Sequence, residues 1–223
     1  HVPKDSLDKL DPLVYLRREF SLSEIPEHAL IYCAAHGIYS LYINGKKVSN
    51  LFDPGNTSYN KHIDYQCYDV TALLNIGENV IAAGLGDGWY TGKISALGIG
   101  QQYGTESAFL AELILKGSDG TRKTVITDEN VKGSEGAIRY ADLYIGEYYD
   151  AACEIAGWNE ASYVEGESWK DVCVKDFGYE ELTMQTIPGI KEIRTIRPEI
   201  RFTPAGDIIL DAGENIVGYV SFC

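Results

Sequence analysis

Residues 28–48 read HALIYCAAHGIYSLYINGKKV, and their reading decides the fold. Tyr39, Leu41 and Ile43 alternate with Ser40, Tyr42 and Asn44, the period-two pattern of a strand that buries one face of a sheet. Asn44-Gly45 follows, two residues that accept the positive φ a type I′ hairpin turn demands. Outward from this stretch the same period recurs over 14–20, 64–70, 79–85, 107–116, 121–127, 137–144 and 198–203. Turn chemistry separates these runs: DPGN at 53–56, SDGT at 118–121, TPAGD at 203–207. One helical turn is expected within YDVTALLNIGEN (68–79), capped by Asp69 or Thr71 and left through Gly77. With no long amphipathic helix, the pattern predicts an all-β fold, a β-sandwich of jelly-roll type.

The bulk composition narrows the function. Sixteen Tyr and 23 Gly suit strands joined by tight turns. A formal charge of −14 argues against nucleic acid or an anionic membrane as partner, and no apolar run is long enough to span a bilayer. Cysteines at 33, 67, 153, 173 and 223 contain no CxxC pair, so neither a zinc knuckle nor a complete disulfide framework is expected. That usage favours a reducing compartment, the cytoplasm, over a secreted or periplasmic one. His28, His36 and His62 show no metal-ligand spacing and no GxSxG-type motif near them.

A seam is expected near 175–200, where KDFGYEELTMQTIPGIKEIRTIRPEI loses its alternation and carries two prolines. We therefore assign 1–180 to a β-sandwich module and 181–223 to a linker and the start of a second β-domain, whose strand–turn–strand pattern GDIILDAGENIVGYVSFC reads as truncated.

Two stretches carry candidate chemistry. LGDGWYTG (85–92) sets two large aromatics and an acid on a glycine-hinged loop directly after the apolar run NVIAAG. Trp89 and Tyr90 either cover one end of the sandwich or offer ring faces to a sugar, with Asp87 accepting hydroxyl hydrogen bonds. ADLYIGEYYDA (141–151) interleaves Asp142, Glu147 and Asp150 with tyrosines, of which Tyr149 joins the candidate sugar contacts. The three carboxylates are candidate calcium ligands by oxygen-ligand chemistry; the alternative is a solvated acidic face. No catalytic residue is assigned, because a carboxylate pair is defined by its spatial separation.

At this point the motifs resemble a family. The tyrosine-rich strand, the Asn-Gly-Lys hairpin, Asp-Pro-Gly, Tyr-Asp-Val-Thr, Gly-Glu-Asn and Gly-Asp-Gly-Trp-Tyr occur here in the order found in the N-terminal region of bacterial α-L-rhamnosidases, glycoside hydrolase family 78. DLYIGEYYDAACEIAGW (142–158) is similar to that family's Gly-Glu-x-Tyr-Asp-Ala segment, and LDAGENIVGYV (210–220) to the stretch opening its next β-domain. The likeness covers residues 12–222. Ala152, His62, Ala212 and Glu214 depart from the family's usual Arg, Arg, Phe and Gln.

The resemblance implies an accessory module with no hydrolytic activity of its own. In the family, terminal α-L-rhamnosides are hydrolysed in a later (α/α)₆ barrel, which this chain does not contain. It further implies rhamnosyl groups as a ligand, with calcium as an optional aid and no cofactor required. An aromatic wall gains from the C6 methyl of rhamnose, which glucose lacks. Two alternatives stay open: a purely structural spacer, and the galactose-binding-like jelly-roll of another glycosidase such as a β-galactosidase.

Overall fold

A computed structural model describes residues 11–94, 99–179 and 181–221. Among these described residues fifteen strands follow in chain order. They are β1 (Val14–Leu22), β2 (His28–His36), β3 (Ile38–Ile43), β4 (Lys46–Lys47), β5 (Ile63–Asp69), β6 (Gly77–Gly86), β7 (Ala108–Lys116) and β8 (Arg122–Ile126). After these come β9 (Lys132–Glu135), β10 (Ile138–Asp142), β11 (Gly146–Tyr149), β12 (Lys170–Asp171), β13 (Leu182–Met184), β14 (Glu199–Phe202) and β15 (Ile208–Asp211). Among the described residues the two large sheets have the orders β12-β9-β1-β6-β3-β4 and β13-β5-β2-β7-β8, and β10-β11 and β14-β15 form two-stranded sheets of their own. This is the β-sandwich that the alternation predicts.

The opening stretch builds both layers. Residues 28–36 enter the five-stranded sheet and 38–43 the six-stranded one, so the chain changes sheet at Gly37. Gly37 has φ +139°, and a Cβ there would meet the Gly86 carbonyl oxygen at 2.4 Å. Only glycine permits that approach. Odd positions point inward on both sides of the crossing: Ala29, Ile31, Cys33 and Ala35 from β2, Tyr39, Leu41 and Ile43 from β3. They meet Ile81 and Leu85 of β6 and Ala111, Leu113 and Leu115 of β7 in the main core. Each fully buried Leu or Ile there contributes roughly 1.5–3 kcal/mol.

Asn44 and Gly45 take φ +51° and +81°, and Tyr42 pairs with Lys47, as expected of the hairpin. Asn44 also does more than turn the chain. Its side chain donates to the Leu73 carbonyl and to Asn79 Oδ1, and accepts from the Val80 amide. Asn79 is fully buried and ties the 75–79 loop to itself. The Gly-Glu-Asn motif is thus a fold device. The helical turn is a short 3₁₀ element, Thr71–Leu73. Asp69 accepts from the Thr71 amide and hydroxyl just before it. Gly77, expected at its exit, opens β6 instead, with φ +87°.

The outer face of the six-stranded sheet is covered by residues 157–169. Trp158 stacks on Tyr15, and Trp169 lies over the Arg17 guanidinium. Arg17 has a side chain with no exposure at all, which no periodicity announces. Its guanidinium reaches Glu19 and the Tyr163 and Glu160 carbonyls, and Nε lies 3.5 Å from Glu165, near enough for charge pairing though without hydrogen-bond alignment.

The chain divides into two units between Ile190 and Lys191. Residues 181–190, placed with the linker from sequence, pack in the first unit: β13 runs parallel to β5, and Leu51 bridges Ile190. The second unit holds the antiparallel hairpin β14–β15, turned at Thr203–Asp207, with Ile200, Phe202 and Ile208 exposed.

Candidate functional site

The loop after β6 is shaped by its glycines. Gly88 has φ +55°, and a Cβ there would strike Ile38 Cγ1 at 2.5 Å; one on Gly92 would strike the Gly88 carbonyl oxygen at 2.2 Å. The loop closes on itself through the Thr91 amide and hydroxyl, which donate to the Asp87 carbonyl and carboxylate. Ser107 approaches the same carboxylate oxygen at 3.5 Å. Burial pushes the Asp87 carboxyl above its ordinary range; Asp11 and Asp142 add to this, and the Thr91 and Ser107 hydroxyls oppose it.

Both aromatics are engaged. Trp89 packs beside a small second core of Ala34, Tyr59 and Ile63, and meets Phe52 edge-on with centroids 6.3 Å apart. Tyr90 lies flat on His36, with centroids 4.2 Å apart, and stands at 90° to Tyr59. Phe177 closes on the edge of His36 at 4.7 Å. Trp89 and Tyr90 are themselves half-buried rather than sealed, between a buried Tyr59 and the exposed Phe52 and Phe177. The result is an aromatic group at one end of the five-stranded sheet's outer face, with Glu181 acting electrostatically on His36 and Tyr90. His36, Phe52 and Phe177 are not recoverable from the local sequence, because they come from three separate segments.

The β10–β11 hairpin holds the backbone just past the 85–92 loop through Asp142. Asp142 accepts from the Lys93 amide at 2.9 Å with one oxygen, and from the Tyr144 and Ile145 amides with the other. Asp150 sits at the opposite end of the hairpin, where it caps the 3₁₀ turn Ala151–Cys153 by accepting from the Ala152 amide. Pairing of Asp142 with Gly146 and of Ile138 with Tyr149 separates the two ends. At the strand rise, that span is about 10–13 Å. Calcium–oxygen bonds of roughly 2.3–2.6 Å cannot bridge it. Asp142, Glu147 and Asp150 therefore do not form the single ligand set expected from sequence. Among the described residues, no group of three or more His, Cys, Asp or Glu side chains is arranged to hold a metal ion.

Tyr149 also parts from Asp87, Trp89 and Tyr90. It is exposed on β11, near Tyr15, Glu147 and Glu154. The four candidate sugar contacts thus fall into two groups.

Comparison with known proteins adds a family. The model of the α-L-rhamnosidase N-terminal domain matches residues 24–194. An α-L-rhamnosidase of Streptomyces avermitilis is 35% identical over 209 residues, which cover 92% of this chain and 20% of that protein. One from Formosa agariphila is 32% identical, with 92% and 22% covered. The chain thus spans about a fifth of the length of these relatives. Among solved structures, native α-L-rhamnosidase from Aspergillus terreus superposes with a TM-score of 0.86 at 30% identity, covering 92% of this chain and 24% of that one. The Streptomyces avermitilis α-L-rhamnosidase complexed with L-rhamnose does so with a TM-score of 0.84 at 32% identity, covering 93% and 20%.

Proposed function

We propose, on the premise that this chain belongs to the family of α-L-rhamnosidase N-terminal domains, that it is the non-catalytic β-sandwich module of an enzyme hydrolysing terminal α-L-rhamnosides. The observation that carries this reading is the match over 24–194 in a chain spanning a fifth of its relatives. Among the described residues the helices are single 3₁₀ turns, and the family resemblance assigns hydrolysis to a separate (α/α)₆ barrel, the catalytic part of the enzyme. Its partner is that catalytic part of the same polypeptide. No described helix is long and apolar enough to cross a membrane.

The module offers a rhamnosyl group the half-buried faces of Trp89 and Tyr90. Support comes from physical chemistry: aromatic faces take up the C–H face and C6 methyl of a deoxy sugar at little desolvation cost. This reading needs no calcium, because Asp142 and Asp150 stand at opposite ends of the β10–β11 hairpin. A spacer role is the second reading, favoured by the engagement of Tyr90 with His36 and of Trp89 with Phe52.

Titration with L-rhamnose, followed by Trp and Tyr fluorescence with and without chelator, separates them. A saturable, rhamnose-selective change lost in W89A supports binding. A flat response to tens of millimolar bounds the affinity near −2 to −3 kcal/mol and leaves the spacer role.

A further inference from the structure

The outer face of the six-stranded sheet carries a second aromatic group that the loop at 85–92 does not explain. In register across that face lie Tyr15, Gly84 and Ser40, then Arg17, Ala82 and Tyr42. The small residues of β6 leave a floor between Tyr15 and Tyr42, and Trp158 occupies it. Its ring is parallel to Tyr15, with centroids 4.2 Å apart and planes 7° from parallel, and Tyr42 meets it edge-on at 5.7 Å. All three rings are half-buried, so the wall they make is part open to solvent.

A polar rim adjoins this wall. Glu147 and Tyr149 project from the same side of β11, two residues apart on a strand. Tyr149 is 48% exposed, and Glu154 and Glu147 act on its hydroxyl. Both carboxylates and the Tyr149 hydroxyl act on the Tyr15 hydroxyl, which burial foremost and then these neighbours raise above the ordinary phenol range.

We infer that Trp158, Tyr15 and Tyr42 form the wall, and Tyr149, Glu147 and Glu154 the rim, of a second carbohydrate-binding patch that takes a neutral pyranose residue. The rings supply apolar surface for a sugar's C–H face, and the phenols and carboxylates accept its hydroxyl protons. Two carboxylates at the rim, in a chain of net charge −14, exclude an anionic ligand. The inference rests on the reading of the chain as a glycosidase module. It differs in place: Tyr15 faces out from one sheet and His36, beneath Tyr90, from the other.

The chain's three tryptophans make the two sites separable in one experiment. The indole N–H signals of ¹⁵N-labelled protein report Trp89 in the loop, Trp158 in the patch, and Trp169, which is buried and donates to the Tyr163 hydroxyl, as a control. L-rhamnose, D-galactose and D-glucose are added in turn, and tetramethylammonium chloride separately. The patch requires a saturable movement of Trp158 with at least one sugar, a still Trp169, and loss of the Trp158 response in Y149A with Trp89 unaffected. Because Tyr149 is exposed, that variant folds, and Y149F tests the hydroxyl alone. A Trp158 signal unmoved by all three sugars, moved only by the cation, or moved equally in Y149A overturns the patch. Movement of Trp89 alone keeps the loop reading and sinks this one; movement of Trp158 alone does the reverse.

Discussion

His36 lies face to face with Tyr90, their ring centroids 4.2 Å apart and their planes 7° from parallel. Nδ1 of that imidazole is buried without a hydrogen-bond partner, and Phe177 closes its edge. The contact joins the 85–92 loop to the end of β2, so the loop's posture is coupled to the state of one histidine.

Burial lowers the His36 pKa, against a smaller opposing pull from Glu181. In the window below the ordinary value of 6.5, down to the lowered folded value, the unfolded chain binds the proton that the folded chain refuses. Stability therefore falls as pH drops through that window. H36F keeps a ring on Tyr90 and removes the titration. Thermal melts from about pH 7 to about pH 5 should show the wild type losing ground relative to H36F. A wild-type-to-H36F difference that is constant with pH contradicts the linkage.

Arg17 pins residues 157–169 to the sheet beneath Trp169, 5.7 Å from its ring centroid, and Tyr163 at 5.0 Å. R17M removes the charge but retains much of the volume. Glu19 and Glu165 are partly exposed and can rehydrate, so the cost in urea denaturation should be about 2–3 kcal/mol, below the roughly 3–5 kcal/mol of a fully buried pair. Limited proteolysis of R17M should cut first within 157–169.

Asn79 both donates and accepts from a site with no exposure. N79A should cost about 2–4 kcal/mol by leaving several partners unmatched. N79D tests the donors specifically, since a carboxylate cannot donate to the Asn75 and Gly77 carbonyls. It should be at least as unstable as N79A at neutral pH and recover in part on acidification, read from chemical melts at two pH values.

Two glycines with positive φ should respond differently. Gly120 has φ +83° and open space around its Cβ position, so G120A should cost only the backbone term of about 1–2 kcal/mol. Gly88 adds contact with the Gly37 and Ile38 backbone at 2.9 Å. G88A should cost about 2–4 kcal/mol and shift Trp89 fluorescence, whereas G120A leaves that emission unchanged.

Much of this protein was legible in its residues. Alternation over 28–48 and Asn44-Gly45 specify strands, their buried faces and a tight turn, because those properties depend on neighbours one and two positions away. Order of motifs carried the family for a similar reason: each motif is a local solution to a turn, a cap or a crossing. Tertiary structure alone decided the rest. It paired His36 with Tyr90, hid Arg17 under Trp169, and parted Tyr149 from Trp89. It also stretched Asp142 and Asp150 to opposite ends of a hairpin, where sequence proximity had suggested one site. A β-sandwich is built from long-range pairings, so a residue's neighbours in space come from strands far away in the chain, and a site assembled from such neighbours leaves no periodicity to read.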